Sequence, residues 1–387
     1  MIERRGNYRM KPCYLDTNAG EPLSGPVAER IGAISRLTLA NPNSPHEQGI
    51  RARRIVEEAH QFIARALGAR PSQLHMTSGG SEANLWAIRH IVLDAVASGK
   101  RPTIVYGSTE HPSVLSGLEH FSSRGLCEAI PLEVTSSGQP DLEGLEHHAR
   151  GADALFLMAA NNETGVHHDL DAISRIVSDT NIHWHCDAVQ LLGKEVLDFG
   201  SAHLRAVASL SVSAHKIGGP KGCGCVLVRP ALSTGRPVVQ NLATPNLLGI
   251  AGFATAMSTL AARLGKTAHQ ALLRDDLERD LLALFPGSSI HGRHAPRLCN
   301  TTLVSIRTDS GWIDGEDAVL SLAERGISVS TGAACSTRTG RPSHVLLAMG
   351  VDRSEASASL RISLGPITTA TETKAFLDAL RTMFANG

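Results

Sequence analysis

Residues Arg205–Arg229, "RAVASLSVSAHKIGGPKGCGCVLVR", decide how this chain is organised. Small and β-branched residues fill the run up to Ser213, the composition of a buried strand end. One lysine, Lys216, then stands between His215 and a Gly-Gly-Pro turn, whereas surface lysines usually sit among other polar residues. The second half, "CGCVLVR", reads as another strand, with Cys223 and Cys225 two apart on one face. The lysine is therefore expected at a strand end, placed for chemistry.

Working outward, "TIVYG" (Thr103–Gly107), "ALFLMAA" (Ala154–Ala160) and "IHWHCDA" (Ile182–Ala188) are further short strand candidates. They alternate with the helical patterns "RARRIVEEAHQFIARALG" (Arg51–Gly68) and "SEANLWAIRHIVLDAVASG" (Ser81–Gly99). Such alternation predicts an α/β domain around a mostly parallel central sheet. From Gly249 the pattern changes to one long helical stretch ending at Phe285, then shorter strand-like segments and a final helix over Ala370–Ala385. The expected organisation is a large domain over 14–250 and a smaller α/β C-terminal domain over 251–387, with residues 1–13 packing on the latter. Ligands favour the carboxyl ends of parallel strands and domain interfaces, so both parts should contribute to the site.

The chain has 387 residues, 42% hydrophobic, with 37 basic and 37 acidic side chains, enough for a large core and without a net charge that would draw nucleic acid or membrane. Its start, "MIERRGNYRMKP", leads into no apolar run, and no window reaches the roughly 18 apolar residues of a membrane span. A soluble, cytoplasmic protein is expected. The seven cysteines read as reduced thiols, and no Cys/His spacing completes a zinc site, so no metal is expected.

Four other segments stand at strand-to-loop junctions. "HMTSGGSEAN" (His75–Asn84) joins a strand end, a Gly-Gly turn and a helix start, so Gly80, Ser81 and their neighbours could cradle a phosphate; a Ser-capped helix is the bland alternative. "IHWHCDAVQ" ends on Asp187, which can hold a heteroaromatic nitrogen protonated, with Gln190 able to donate to a nearby oxygen. "GSTEHPSV" presents His111 for stacking on a flat ring or moving a proton. "AANNETG" offers the amides of Asn161 and Asn162 to a carboxylate or phenolic oxygen, unless they only form a turn. A phosphate cradle, an acid, an imidazole, an amide and a lysine together match the needs of pyridoxal 5'-phosphate held as a Schiff base.

The segments "TSGGSEANLWA", "TEHPSVL", "NNETG", "HCDAVQ" and "SAHKIGGPKGCG" resemble, in order and spacing, the signature segments of the cysteine desulfurases, in the class V branch of fold-type I pyridoxal-phosphate enzymes. "YLDTNAGEPL", "NPNSPHEQG" and "SASLRISLG" extend the resemblance over nearly the whole chain. The resemblance implies that Lys216 forms the Schiff base, Asp187 pairs with the ring nitrogen, Gln190 reaches the ring oxygen and His111 stacks on the ring. It further implies phosphate contacts from Ser81, Ser213 and His215, a substrate carboxylate bound by Asn161 and Arg361, and a homodimer in which Thr244 reaches the other subunit's phosphate.

"STGAACSTRTGRPSHVLLAMG" (Ser330–Gly350) sets Cys335 among small polar residues with Arg338 and Arg341 nearby, a setting that favours a thiolate. The segment is similar to the family's longer catalytic loop. That similarity implies conversion of L-cysteine to L-alanine, with sulfur passing to Cys335 as a persulfide for a protein acceptor; Lys216 would remove the Cα proton and His111 would shuttle one. Two stretches depart from the family pattern. Thr17–Pro22 carries the acidic Glu21, expected to alter pocket polarity, and Arg236–Phe253 lacks the usual glycines and arginine. A related class V lyase, aminotransferase or epimerase, or a non-catalytic sulfur-relay scaffold, is the alternative reading.

Overall fold

The strand Val207–Ser213 is buried at every residue, which is why its sequence is apolar or small throughout rather than alternating. In the computed structural model, which describes residues 13–229, 244–332 and 342–384, it lies inside a seven-stranded sheet. The strand order is Leu74–Thr77, Gly224–Val228, Val207–Ser213, His183–Asp187, Ala154–Phe156, Thr103–Gly107 and Glu128–Leu132. Gly224–Val228 runs antiparallel to both neighbours, and every other pair is parallel. The expected mostly parallel sheet with flanking helices is what forms. The carboxyl ends of six strands therefore meet along one edge of the sheet.

Helices Glu47–Ala66, Gly80–Ala97, Pro112–Ser122 and Leu170–Ser178 connect or cover these strands. Leu155, Trp184, Leu210, Val212 and Leu227 join Ile63 and Phe253 in the larger hydrophobic core. A second core gathers Leu15, Leu277, Leu281, Leu322, Leu360 and Phe376 around the antiparallel sheet Ser330–Thr331, Ser359–Ser363, Thr301–Ser305 and Ser289–Ile290. Cys13–Tyr14 pairs in parallel with Ile327–Ser328, so the first described residues pack on this C-terminal part.

The long helical stretch is three helices, Leu247–Met257, Leu260–Leu264 and Thr267–Leu284. The hydroxyls of Ser258 and Thr259 donate back to the carbonyls of Thr255 and Ala256 at 2.7 Å each, and Gly265 follows, so local hydroxyl bonds and a weak helix former break a continuous apolar pattern. Ile250, Phe253, Ala256 and Met257 all belong to the larger core, so the expected division after residue 250 falls inside a helix. No single helix among the described residues is long and apolar enough to cross a membrane.

Candidate active site

The strand-end loops enclose a cavity of about 660 Å³, within the range of small-molecule sites. Gly80, Ser81, His111, Asp187, Gln190, Ser213, His215, Lys216 and Arg361 all line it. Residues separated by 281 positions in sequence thus converge because six strands end on the same edge and Ser359–Ser363 approaches from the second sheet.

Lys216 stands not on the strand itself but on the single 3-10 turn Ala214–Ile217 that follows it. Gly218, at φ +72°, ends that turn in a conformation L side chains rarely adopt, and a Cβ there would lie 3.2 Å from that of Ser24. The Lys216 Nζ donates to the carbonyl oxygens of Asn18 and, at 3.2 Å, Ala19. Beside it, Ser213 Oγ and His215 Nδ1 are 2.8 Å apart; burial, with Lys216 and Lys221 adding, pushes His215 down to about 4 and keeps the imidazole neutral.

Asp187 closes the strand His183–Asp187. Its Oδ1 accepts from the Val189 N–H at 2.9 Å and its Oδ2 from Asn84 Nδ2 at 2.7 Å. Asn84 sits one turn into helix Gly80–Ala97, whose first N–H groups have no intrahelical acceptor and whose dipole favours an anion at Gly80 and Ser81. Glycine at 80 is required by close packing, because a Cβ would meet Val189 Cγ2 at 2.5 Å.

His111 caps helix Pro112–Ser122, accepting from the Ser113 N–H at Nδ1 over 3.1 Å. Burial lowers its pKa, Lys216 and His344 lower it further, and Asp187 opposes them. Two buried acids accompany His111, Glu110 and Glu163, and Glu163 lines the cavity. Glu110, accepting from the Met158 N–H at 2.7 Å, is raised well above the carboxylate range by burial and by Asp187, and burial brings Glu163 up to about 7 despite a hydrogen bond from Ser343 and the proximity of Arg361.

Arg361 is 2% exposed. It pairs with Asp16 at 2.8 Å and donates from Nη1 to the Asn162 carbonyl at 3.2 Å, while its Nε has no hydrogen-bond partner among the described residues. A buried, fixed guanidinium with spare donor capacity suits a carboxylate.

At two positions the structure shows partners that the sequence did not. The amide of Asn161 is consumed by its own turn: Oδ1 accepts from the N–H groups of Glu163 and Thr164 at 2.9 and 3.0 Å, and Nδ2 donates to the Thr109 carbonyl at 3.0 Å. Its neighbour Asn162 lines the cavity instead, so the strand end points the second asparagine inward. Glu21 pairs with Arg263 and does not line the cavity, so its charge is matched rather than added to the pocket. Thr244 is exposed, accepts from Asn41 Nδ2 at 3.2 Å and does not line this cavity. Cys335 lies outside the described residues, while Gly332 and His344 on either side of it in sequence line the cavity.

Sequence reasoning missed Asn18, Asn84 and His344, although each stood in a segment already singled out. The His344 Nε2 lies 3.0 Å from the Glu110 carbonyl, so the proton is on Nε2 and Nδ1 keeps its lone pair. Chemically, the cavity lining offers donors for a dianion, a carboxylate for a protonated ring nitrogen, an amine and a guanidinium.

The pattern of the family described as aminotransferase class-V matches residues 13–376. A cysteine desulfurase of Nostoc sp. is 34% identical over 371 residues, covering 93% of this chain and 90% of its own. Among solved structures, a NifS-like protein superposes with a TM-score of 0.86 at 32% identity, covering 96% of this chain and 99% of its own. SspA in complex with cysteine gives a TM-score of 0.77 at 26% identity, covering 92% and 99%. The chain belongs to the cysteine desulfurase family of class V aminotransferases.

Proposed function

We propose that this chain holds pyridoxal 5'-phosphate on Lys216 and, as a cysteine desulfurase, converts L-cysteine to L-alanine while passing sulfur to Cys335 for delivery to a protein acceptor. The observation that carries the cofactor reading is the convergence of Lys216, Asp187 and the helix start at Gly80 and Ser81 on one cavity. The cavity fits the group: hydroxyl and N–H donors from Ser81, Ser213 and the helix start for the phosphate, neutral His215 beside them, and buried Asp187 for the ring nitrogen.

When bound, pyridoxal phosphate supplies an electron-withdrawing ring that makes the substrate Cα proton acidic. Asp187, anchored by Asn84 and Val189, holds the proton on the ring nitrogen. Gln190 would donate to the ring oxygen and His111 would stack on the ring. Arg361, with Asn162 beside it, binds the substrate carboxylate. Lys216 takes the Cα proton through its amine and returns it to Cα after the sulfur has left. The Cys335 thiolate attacks the substrate sulfur: an S–S bond forms, the C–S bond breaks, and its electron pair goes to Cβ, which is protonated to the methyl group of alanine.

Six cysteines without disulfide partners among the described residues support a reducing, cytoplasmic setting. The exposed Thr244 supports a homodimer in which it serves the other subunit's site, and the two hydrophobic cores support a larger cofactor-binding part and a smaller C-terminal part.

The test is an absorption spectrum of the purified protein followed by alanine and sulfide assays with L-cysteine and a reductant. A yellow protein that makes alanine, and stops when Cys335→Ala is introduced while staying yellow, is the expected result. A yellow protein that forms no alanine from cysteine would point to another amino acid as substrate.

A further inference from the structure

A buried lysine, Lys194, lies close to Lys216. Lys194 is 8% exposed, yet its Nζ donates to Gln190 Oε1 at 2.7 Å and to Asn18 Oδ1 at 3.0 Å. An amine with those two acceptors settles how both amides point. Gln190 must turn its Nε2 away from Lys194, where it donates to the Asn18 carbonyl at 3.1 Å; that carbonyl also accepts from Lys216 Nζ. Asn18 is locked from its other side, with Nδ2 donating to Thr301 Oγ1 at 2.9 Å and Oδ1 accepting from Asn300 Nδ2 at 3.1 Å.

We infer that Lys194 is a positioning residue for the cofactor linkage, orienting Gln190 as a donor toward the ring oxygen and holding Asn18 against Lys216. The inference rests on the reading of Lys216 as the cofactor lysine. A lone buried ammonium is costly, so a lysine retained here with two oriented acceptors is placed for more than packing. Burial lowers Lys194 to about 7; Glu21 and Cys299 raise it, and Lys216 and Arg263 lower it further. Facing Lys216 itself are His111, His215 and Lys194, with Asp187 across the same cavity. Removing Lys194 takes away a nearby cation and releases the Gln190 donor. Both changes favour the protonated form of the Lys216–cofactor linkage and raise its titration midpoint.

The experiment titrates the absorption band of the holoenzyme, without cysteine, across the neutral range for the wild type, Lys194→Met, Gln190→Ala and the double variant. Lys194→Met should raise the midpoint by about half a unit or more. The double variant should show less than the sum of the two single shifts, because the residues act in part through one donor. An unchanged midpoint with only a lower unfolding temperature would overturn the inference while leaving the cofactor reading intact. If Lys194→Met does not fold, Lys194→Gln carries the same expectation, and failure of both to yield folded holoenzyme would assign Lys194 to the core instead. A wild-type protein that takes up no pyridoxal phosphate would sink the reading of Lys216, and the inference with it.

Discussion

Asn84 donates from Nδ2 to Oδ2 of Asp187 across 2.7 Å, and its own Oδ1 lies 3.1 Å from His185 Nε2. Helix and strand, 103 residues apart in sequence, are thereby tied at the carboxylate on which the ring nitrogen would rest. His185 in turn contacts Ser209 on the next strand through Nδ1 at 2.8 Å, so Asp187 is oriented by a chain of neutral groups, with no cation in direct contact among the described residues.

Asn84→Ala should therefore weaken pyridoxal phosphate binding about tenfold, the cost of one hydrogen bond to a charged group. Titrating apo-protein with the cofactor and following fluorescence checks this. An unchanged affinity would mean that the Val189 N–H alone suffices to fix the carboxylate.

Arg361 is fixed from behind by Asp16, so its planar fork is presented ready-made. Arg361→Lys should raise KM for L-cysteine by about 10- to 100-fold, because an ammonium cannot reproduce bidentate contact. Asp16→Asn should act in the same direction but more weakly, with kcat nearly unchanged. Steady-state alanine formation separates the two parameters; a fall in kcat alone would place Arg361 outside substrate binding.

Gly80→Ala should destabilise the protein by about 1–3 kcal/mol, since its Cβ must displace Val189 Cγ2 at the start of a helix. Thermal unfolding reads the loss. Val189→Ala in the same chain should recover part of it, and no recovery would show that the strain lies in the backbone.

Acid should destabilise the fold through three buried imidazoles. Burial is the leading cause that lowers His168 and His183 to about 4 and His185 to about 3, against 6.5 in the unfolded chain. Above 6.5 both states are neutral and the stability is fully present; as pH falls toward the folded values, only the unfolded chain takes up protons and stability is lost. Each site represents on the order of 3 kcal/mol when fully expressed. Glu163, raised to about 7 by burial, works the opposite way and offsets part of the slope between 7 and 4.5. Unfolding temperature measured against pH should drop most steeply below 6.5, and His185→Gln should flatten that drop. A curve flat to 4 would contradict the buried, neutral assignment.

Much of the site was legible because its residues follow strands. Lys216, Asp187 and His111 each come after a short apolar run, and an α/β chain brings such positions to one edge whatever the loops do. Asn161 and Asn162 show the limit: adjacent amides are equivalent in sequence, and only the turn geometry, which spends one amide on the N–H groups of Glu163 and Thr164, decides which faces the cavity. Glu21 looked like an added charge until the fold brought Arg263, 242 positions away, against it. The break of the long apolar helix after Met257 was hidden for a related reason, since hydrophobic pattern reports burial and not the hydroxyl-to-carbonyl bonds that end a helix.

By itself, then, the amino-acid sequence determined the layered α/β architecture, the lysine, acid and imidazole of the site, and the family, because periodicity and local motifs are short-range properties. Only the tertiary structure decided which amides point inward, that Glu21 is neutralised, and that Lys194 stands behind Gln190 and Asn18. Those outcomes depend on pairing buried polar atoms across distant segments, and an unpaired buried donor or charge costs enough that the fold, not the local sequence, selects the partner.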